Sequence, residues 1–269
     1  GRCCQGSYVE DDAPVKAFIR GGDTVRSRVI YADTYRKRHQ RRLFLLAVLI
    51  IALGALFVWW HQRNPRPDPQ TYPVLGVRLD QTDGVQDFDS LRSSKVSFVY
   101  LKATEGSSYF DDNFNTNFNQ AAGSRLSIGI YHGFSFETTP QAQAAQFTRQ
   151  VGQNIGDLPI GIYLSYYTEK KPSTQWLTIQ LQTFVTLVQQ HYHRQVLLMG
   201  SPSILKAVQK VDPQAPRWVV SDKKPTTSSG FWQYTSGARL PNGPHADYRA
   251  AVFMGDRAAF LKLSQQIVN

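Results

Sequence analysis

The side chains best suited to acid–base chemistry lie near the ends of predicted β-strands. Glu105 follows one such strand, and Asp247 lies near the end of the sequence. The apolar run 158–167 (LPIGIYLSYY) differs, because strand alternation puts Tyr163 and Ser165 on one face. Neither residue is a carboxylate, the group that most directly serves as a general acid or nucleophile beside a sugar or an ester. This strand end is therefore better suited to binding than to catalysis.

Neither a metal site nor a phosphate-binding loop is indicated by the sequence. His132 stands alone beside a predicted strand, where a hydrogen-bonded core residue is more common than a ligand or a catalyst. Cys3 and Cys4 are the only cysteines and lie far from any group of histidines. No Gly-rich phosphate loop is present, so we expect no metal and no cofactor.

The chain from Pro73 onward must position these side chains, and in it short β-rich runs alternate with helical stretches. The predicted strands cover residues 74–79, 97–102, 127–131, 160–165, 196–199, 217–220 and 230–234. The predicted helices cover residues 88–93, 113–122, 139–155, 174–191, 202–210 and 257–268. This alternation predicts an α/β fold, an irregular TIM-like β/α barrel. In such barrels functional residues lie at the C-terminal ends of the strands.

Residues 43–60 (LFLLAVLIIALGALFVWW) form an apolar run without charge or proline. As a helix this run would be about 27 Å long, enough to cross the core of a bilayer. The basic segment 36–42 precedes it, whereas Arg63 and Arg66 follow, so the positive-inside rule predicts a cytoplasmic N-terminus. A cleaved signal peptide is the alternative, but the bulky residues that end the run do not suit a signal peptidase.

The domain organisation follows from this run and from the charge distribution. We predict a basic cytoplasmic tail over residues 1–42, a single transmembrane helix over 43–60, a Pro-rich linker over 61–72 and a barrel domain over 73–269. The whole chain has a net charge of +10. Residues 1–70 hold 12 basic and 6 acidic side chains, a net charge of +6, so the basicity belongs mainly to the short N-terminal part. Nucleic-acid binding is therefore not expected.

Several short motifs resemble those of one enzyme family. Residues 102–106 (KATEG), with Tyr109 and Asp111 after them, resemble the KATEG…Y.D signature of family 25 glycoside hydrolases, the Chalaropsis-type lysozymes. Other segments are similar to motifs of that family in the same order: 76–80 (GVRLD), 129–134 (GIYHGF), 141–147 (QAQAAQF), 157–159 (DLP) and 232–236 (WQYTS). The resemblance spans residues 73–269. It implies a β/α barrel whose ligand is a peptidoglycan glycan.

The resemblance also implies where catalytic carboxylates would lie. The family's Asp-x-Glu pair at the end of the fourth strand falls on Tyr163 and Ser165, and the Asp of its opening strand falls on Arg78. Its last Asp falls on Arg249 in a gapless alignment with the VDLNVF.G motif. Asp247 takes that role only if two residues are inserted.

These replacements predict a catalytically degenerate domain. Glycoside hydrolysis needs two carboxyl groups across the scissile bond. A serine hydroxyl, or a phenol with an ordinary pKa of about 10, is a poor acid at neutral pH. Arginines in place of aspartates would also oppose an oxocarbenium-like transition state. The remaining candidate acids are Glu105 and Asp247.

Binding is expected to survive better than catalysis, because aromatic faces pack on sugar rings. The predicted substrate-binding residues are Lys102, Glu105, Tyr131, Phe134, Trp232 and Tyr234. Phe134 and Tyr234 are the two most open to an ordinary core role instead. Arg78 and Arg249 are candidates to bind carboxylates of lactyl or peptide groups.

Three functions remain open at this level. The first is a membrane-anchored domain that binds peptidoglycan without cleaving it. The second is an active muramidase that hydrolyses the MurNAc-GlcNAc β-1,4 bond with relocated acids. The third is an interaction scaffold of a cell-envelope complex, whose protein partners the sequence does not identify. A cysteine-free extracytoplasmic domain with one N-terminal anchor in the cell membrane favours a Gram-positive bacterium.

Overall fold

A computed structural model describes residues 31–61, 65–167, 171–226, 230–243 and 247–264. The chain divides into two compact units, residues 1–60 and residues 61–269, which are described separately here. Cys3 and Cys4, and most of the predicted tail, lie outside the described residues.

The first unit contains one long helix, α1 (Tyr31–His61). It begins twelve residues before the predicted span, so the last part of the predicted tail is helical. The composition permits this, because residues 31–42 contain no glycine or proline and are rich in residues that tolerate a helix. Within α1, Arg38–Val58 is long and apolar enough to cross a bilayer, and its side chains are exposed. This finding is consistent with the predicted anchor.

The second unit is a closed barrel. Nine strands are described: β1 (Leu75–Leu79), β2 (Val96–Glu105), β3 (Tyr109–Phe110), β4 (Ser127–Gly133), β5 (Ile160–Leu164), β6 (Val196–Gly200), β7 (Arg217–Val220), β8 (Phe231–Ala238) and β9 (Tyr248–Phe253). Their order is β1-β9-β8-β7-β6-β5-β4-β2-β3, and pairing of β1 with β2 closes eight of them into a ring. The predicted barrel is therefore confirmed.

The irregularity near the end of the barrel comes from β9. This strand runs antiparallel to both of its neighbours, β1 and β8, whereas the other strands of the ring pair in parallel. The short strand β3 pairs only with β2, in antiparallel orientation. Neither β3 nor β9 is predicted from the sequence alternation, because neither follows a helix as a regular β/α unit requires.

Six helices surround the ring or close it. They are α2 (Phe88–Ser93), α3 (Phe114–Gly123), α4 (Pro140–Val151), α5 (Thr174–Tyr192), α6 (Pro202–Ala207) and α7 (Arg257–Leu263). Thr139 caps α4, because its hydroxyl accepts the N–H of Ala142 and Pro140 occupies the first turn. Ser173 caps α5 in the same way.

The strands present an aromatic layer to the inside of the barrel. Its fully enclosed members include Phe98, Tyr100, Trp218 and Phe231, whose rings pack mostly edge to face. A β-carbon added at Gly129 would lie 2.4 Å from the Tyr100 ring, so this glycine leaves the space that the ring occupies. Burial of each large apolar side chain stabilises the fold by roughly 1.5–3 kcal/mol.

The outer faces of the strands form a second core beneath the helices. His132 belongs to this layer, because it is fully buried and stacks on the Phe184 ring of α5 at 4.7 Å. Its Nδ1 is 2.7 Å from the Thr104 hydroxyl and its Nε2 is 3.0 Å from the Gln143 amide oxygen. Burial lowers the pKa of His132 to about 4. The structure thus confirms the prediction that His132 is a hydrogen-bonded core residue.

The end of the predicted linker belongs to the barrel. Tyr72 lies edge to face with Trp232 at a centroid distance of 6.1 Å. Asp68 accepts the N–H groups of Gln70 and Thr71 and forms a turn just before Tyr72. The last residues of the predicted spacer therefore pack on the folded domain, since an exposed tyrosine ring gains by covering a neighbouring indole.

We predict that His132→Gln removes part of the acid sensitivity of the fold. A histidine whose pKa is depressed in the folded state contributes stability that declines as the pH falls from the unfolded value of 6.5 towards 4. By linkage, wild type should lose about 3 kcal/mol more unfolding free energy than the variant over this interval. Urea titrations of the full chain in detergent micelles, from pH 7 to pH 4, measure this difference.

His191→Gln is the matched control, because His191 is exposed on the last turn of α5. The unfolding free energy of this variant should depend on pH as that of wild type does. An equal slope for wild type and His132→Gln would show that His132 is not responsible.

Candidate functional site

The C-terminal ends of the parallel strands form the barrel mouth, and three of the four predicted positions meet there. Arg78 of β1 and Arg249 of β9 are opposite each other in the strand register. The guanidinium carbon of Arg78 lies 4.2 Å from the centre of the Tyr163 ring and 5.4 Å from that of Tyr131. Ser165 lies one residue beyond β5 and is partly exposed.

Arg78 is a buried cation with an unusual set of neighbours. Only 6% of this residue is exposed. Its Nε donates to the side-chain oxygen of Gln233 at 3.2 Å, and the same oxygen accepts the indole N–H of Trp218 at 3.2 Å. Contact with aromatic faces stabilises a guanidinium by cation–π attraction, which is strongest where water is excluded. Gln233 and the tyrosine rings therefore fix the Arg78 side chain in place.

Arg249 differs from Arg78 because two carboxylates neutralise it. Its guanidinium lies 2.7 Å from Asp80 and also pairs with Asp83, and all three side chains are largely buried. Burial would raise the pKa of Asp80, but hydrogen bonds from Thr82 and the charge of Arg249 outweigh it, so this pKa is lowered. Likewise, burial would lower the pKa of Arg249, but Asp83 and other neighbours raise it. The expectation that Arg249 is available to ligand carboxylates is therefore wrong.

The aspartates also shape the turn after β1. Asp80 caps the short 3₁₀ helix Gln81–Asp83 by accepting the N–H of Thr82, and the Asp83 carboxylate accepts the N–H of Asp80. These carboxylates therefore have two roles, because the turn that they stabilise also presents them to Arg249.

Lys102 and Glu105 form an ion pair at the rim of the mouth. The ammonium group of Lys102 lies 4.9 Å from the centre of the Tyr109 ring. Half of the Glu105 side chain is exposed, and a β-carbon at Gly133 would lie 2.9 Å from its Cγ. Glu105 is therefore accessible to solvent, and its carboxylate is paired with a cation.

The other acids near the mouth are placed less favourably for catalysis. Asp247 is exposed in the segment before β9, beside Gly237. Asp111 is 2% exposed and accepts the N–H of Asn113, and burial raises its pKa. Burial and neighbouring carboxylates, Asp111 foremost, raise the pKa of Tyr109 to about 12. Asp111 therefore serves the β3–α3 turn and is closed to a ligand.

Three predicted binding residues point away from the mouth. Phe134 is 3% exposed and packs on Phe184 of α5. Trp232 and Tyr234 belong to the outer core, and the Trp232 indole donates to the carbonyl of Ser221 at 2.8 Å. The expectation that these three bind sugar is wrong, because strand alternation turns them outward. Of the predicted aromatic set, only Tyr131 belongs to the inner layer.

Gln233 is the residue that sequence reasoning missed. It lies between Trp232 and Tyr234 on β8, so alternation places its side chain on the inner face. The motif WQYTS contained this signal, but the aromatic residues were given more weight. Within the described part of the chain, no three His, Cys, Asp or Glu side chains lie close enough to hold a metal ion.

The described mouth is therefore suited to recognition more than to proton transfer. It offers one buried guanidinium, two tyrosine rings and two ion-paired cations. Aromatic faces and charged donors bind sugars and their acidic substituents. The carboxylates of Asp80 and Asp83 are bound to Arg249, so neither is placed to donate a proton to a leaving oxygen.

The barrel is similar to known proteins in both sequence and fold. The family model Glycosyl hydrolases family 25 matches residues 79–242, more than half of the chain. Lysozyme M1 of Streptomyces globisporus is 27% identical over 213 residues, which cover 72% of each chain. The structure of a family 25 glycosyl hydrolase from Bacillus anthracis is 28% identical with a TM-score of 0.69, covering 75% of this chain and 97% of the other. A bacterial lysozyme from Streptomyces coelicolor, 24% identical over 71% of this chain and 96% of its own, has the same fold with a TM-score of 0.63.

We predict that Arg249→Gln destabilises the barrel by about 2 kcal/mol at pH 7. The substitution leaves two largely buried carboxylates without their cation, and partial exposure keeps the cost below that of a fully buried pair. Because the pKa of Asp80 is lowered in the folded state, this stabilisation is present above pH 4 and is lost as the pH falls through the folded-state pKa. Urea unfolding of the full chain in detergent at pH 7 and pH 3 measures both effects.

The difference in unfolding free energy between wild type and Arg249→Gln should be smaller at pH 3 than at pH 7. Arg239→Gln, which removes an exposed arginine, controls for the change in net charge. A gap of the same size at both pH values would mean that lost packing, and not the ion pair, destabilises the variant.

Proposed function

This chain belongs to glycosyl hydrolase family 25, and from this premise we propose that its barrel binds a peptidoglycan glycan at the mouth without hydrolysing it. The observation that carries the proposal is the position of Arg78. Its guanidinium lies where the family motif predicts the opening aspartate, and it contacts Tyr163, which replaces the first residue of the Asp-x-Glu pair. A cation and a phenol thus occupy the predicted place of two carboxylates.

The electrostatics of this arrangement oppose hydrolysis. A glycosidase stabilises a positive charge that develops on the sugar ring and supplies a proton to the leaving oxygen. Arg78 presents a fixed positive charge instead, and no described carboxylate is paired with it. Arg249 contributes less to this effect than the sequence predicts, because Asp80 and Asp83 neutralise it. The inverted field therefore originates mainly from Arg78.

The ligand class follows from family membership and from the related proteins. Lysozyme M1 is named as a lysozyme, and lysozymes cleave peptidoglycan glycans. The mouth keeps Lys102, Glu105, Tyr131 and Tyr163 as polar and aromatic groups next to the strand ends. Loss of the carboxylates removes the acid and the nucleophile, and these remaining groups are the ones we assign to glycan binding.

The location proposed for the domain is outside the cytoplasm, tethered to the cell membrane. Helix α1 supplies a span of sufficient length, and basic residues precede its apolar part. A single-pass orientation with a cytoplasmic N-terminus would place the barrel on the same side as peptidoglycan, as in a Gram-positive cell.

An active muramidase with relocated acids is the second candidate. It is favoured by the exposure of Glu105 and Asp247. Against it, the Glu105 carboxylate is paired with the ammonium group of Lys102.

We predict that the full chain in detergent sediments with insoluble peptidoglycan and leaves no cleared zone in a peptidoglycan gel. Cleavage by wild type that is lost in Glu105→Gln or Asp247→Asn would establish the muramidase instead. Failure to sediment, with an intact fold by circular dichroism, would contradict glycan binding and favour an interaction scaffold.

We also predict that restoring the Asp-x-Glu pair does not restore hydrolysis. The double change Tyr163→Asp and Ser165→Glu supplies two carboxyl groups, but Arg78 would pair with the new aspartate and hold it as an anion beside a fixed cation. A sensitive release assay for reducing ends should give the wild-type background. Hydrolysis by the double variant alone would show that Arg78 is not the obstacle.

A further inference from the structure

Three cations converge on the mouth, and only one lacks an anion. Lys102 pairs with Glu105, and Arg249 pairs with Asp80 and Asp83. Arg78, 6% exposed, makes one side-chain hydrogen bond, from Nε to Gln233, and no described carboxylate contacts it. A buried cation without an anion is costly, because aromatic faces and an amide only partly replace water.

A second donor without a partner lies next to Arg78. Tyr131 is 1% exposed, and its hydroxyl is enclosed and makes no hydrogen bond with any described residue. Tyr100, the other enclosed tyrosine of the inner layer, donates to the carbonyl of Pro159 at 3.0 Å. Buried hydroxyl groups normally find such a partner. The ring that carries this unpartnered hydroxyl has its centre 5.4 Å from the guanidinium carbon of Arg78.

The two groups share one chemical preference. A guanidinium only donates, and burial raises the pKa of the Tyr131 hydroxyl, so this group also keeps its proton. A ligand that satisfies both must offer acceptor atoms and one negative charge. A carboxylate meets this requirement, since its two oxygens match the planar fork of an arginine.

Resting on the proposed function, we propose that Arg78 and Tyr131 form a recognition site for one carboxylate of an acidic glycan, such as the lactyl group of a muramyl residue or the end of its peptide. Arg78 supplies the charge. The Tyr131 hydroxyl becomes available when a neighbouring side chain moves, and the partly exposed Tyr163 ring, 6.3 Å from the Tyr131 ring, is the neighbour closest to solvent. The site occupies the position that the opening aspartate takes in the family motif.

The site differs from the rim in what it selects. Lys102 is already paired with the Glu105 carboxylate, so a neutral sugar can bind beside it without leaving a charge unpaired. Arg78 gains a counter-charge only from an acidic ligand. The site should therefore set a preference for acidic over neutral glycans, while the aromatic and polar groups of the mouth bind both.

The test compares the affinities of three soluble probes for the full chain in detergent micelles, measured by calorimetry. The first is a MurNAc-GlcNAc oligomer with free lactyl groups, and the second is an N-acetylglucosamine oligomer of equal length without carboxylates. The third is the same muramyl oligomer with peptides attached, so that its lactyl carboxyls are blocked and only peptide carboxylates remain. Wild type should bind at least one acidic probe about tenfold to a hundredfold more tightly than the neutral one, as a charge-assisted contact provides.

The preferred acidic probe identifies the source of the carboxylate. Arg78→Gln should abolish the preference, so that the acidic and neutral oligomers bind this variant with affinities within about twofold of each other. Arg78→Lys keeps the positive charge but lacks the planar pair of guanidinium N–H donors, so it should retain part of the preference for acidic probes. Tyr131→Phe, which removes only the hydroxyl, should reduce it. Arg125→Gln is the matched control, because Arg125 is exposed at the opposite end of the barrel, before β4, and should keep the full preference.

Two failures are distinguishable. Equal affinity of wild type for acidic and neutral probes, or an unchanged preference in Arg78→Gln, would overturn the carboxylate site while glycan binding stands. Absence of binding to every probe and to insoluble peptidoglycan would overturn the proposed function itself. Unfolding curves of each variant confirm that a lost preference does not come from a lost fold.

Discussion

The antiparallel pairing of β9 with β1 is the contact on which the barrel mouth depends. It closes the ring and places Arg249 directly opposite Arg78. Like charges on facing strand positions repel unless each is compensated. The turn after β1 supplies Asp80 and Asp83 to Arg249, whereas Arg78 is held by aromatic rings and an amide. The mouth thus contains one arginine, Arg249, whose charge is neutralised, and another, Arg78, that no described carboxylate neutralises.

This difference between the two arginines is the structural basis of the function that we propose for the barrel. A family 25 barrel provides a concave mouth at the strand ends, and the side chains there decide its chemistry. Removal of carboxylates alone would leave an inert groove. A guanidinium between two tyrosine rings instead provides the charge on which the proposed preference for acidic glycans rests. Such recognition would need no proton transfer.

Much of the fold was predictable, because short-range periodicity reports local structure. Helix α2 has the predicted bounds, Phe88–Ser93, and α4 lies within the predicted range 139–155. The strand β9 was missed, because antiparallel closure depends on distant pairing. The outward side chains of Trp232 and Tyr234 were misassigned, although the alternation of β8 contained the answer, because aromatic residues at strand ends were assumed to face a ligand.

The sequence by itself led to the prediction that Arg78, Tyr163 and Ser165 stand where the family motifs have carboxylates. It also determined the apolar span of α1. Only the tertiary structure decided which arginine is neutralised. Arg249 meets Asp83 across 166 positions of the chain, and Arg78 meets Gln233 across 155. Opposite charges neutralise each other through space over a few ångströms. The spacing of residues along the chain therefore does not reveal which charges meet, whereas the closed barrel does.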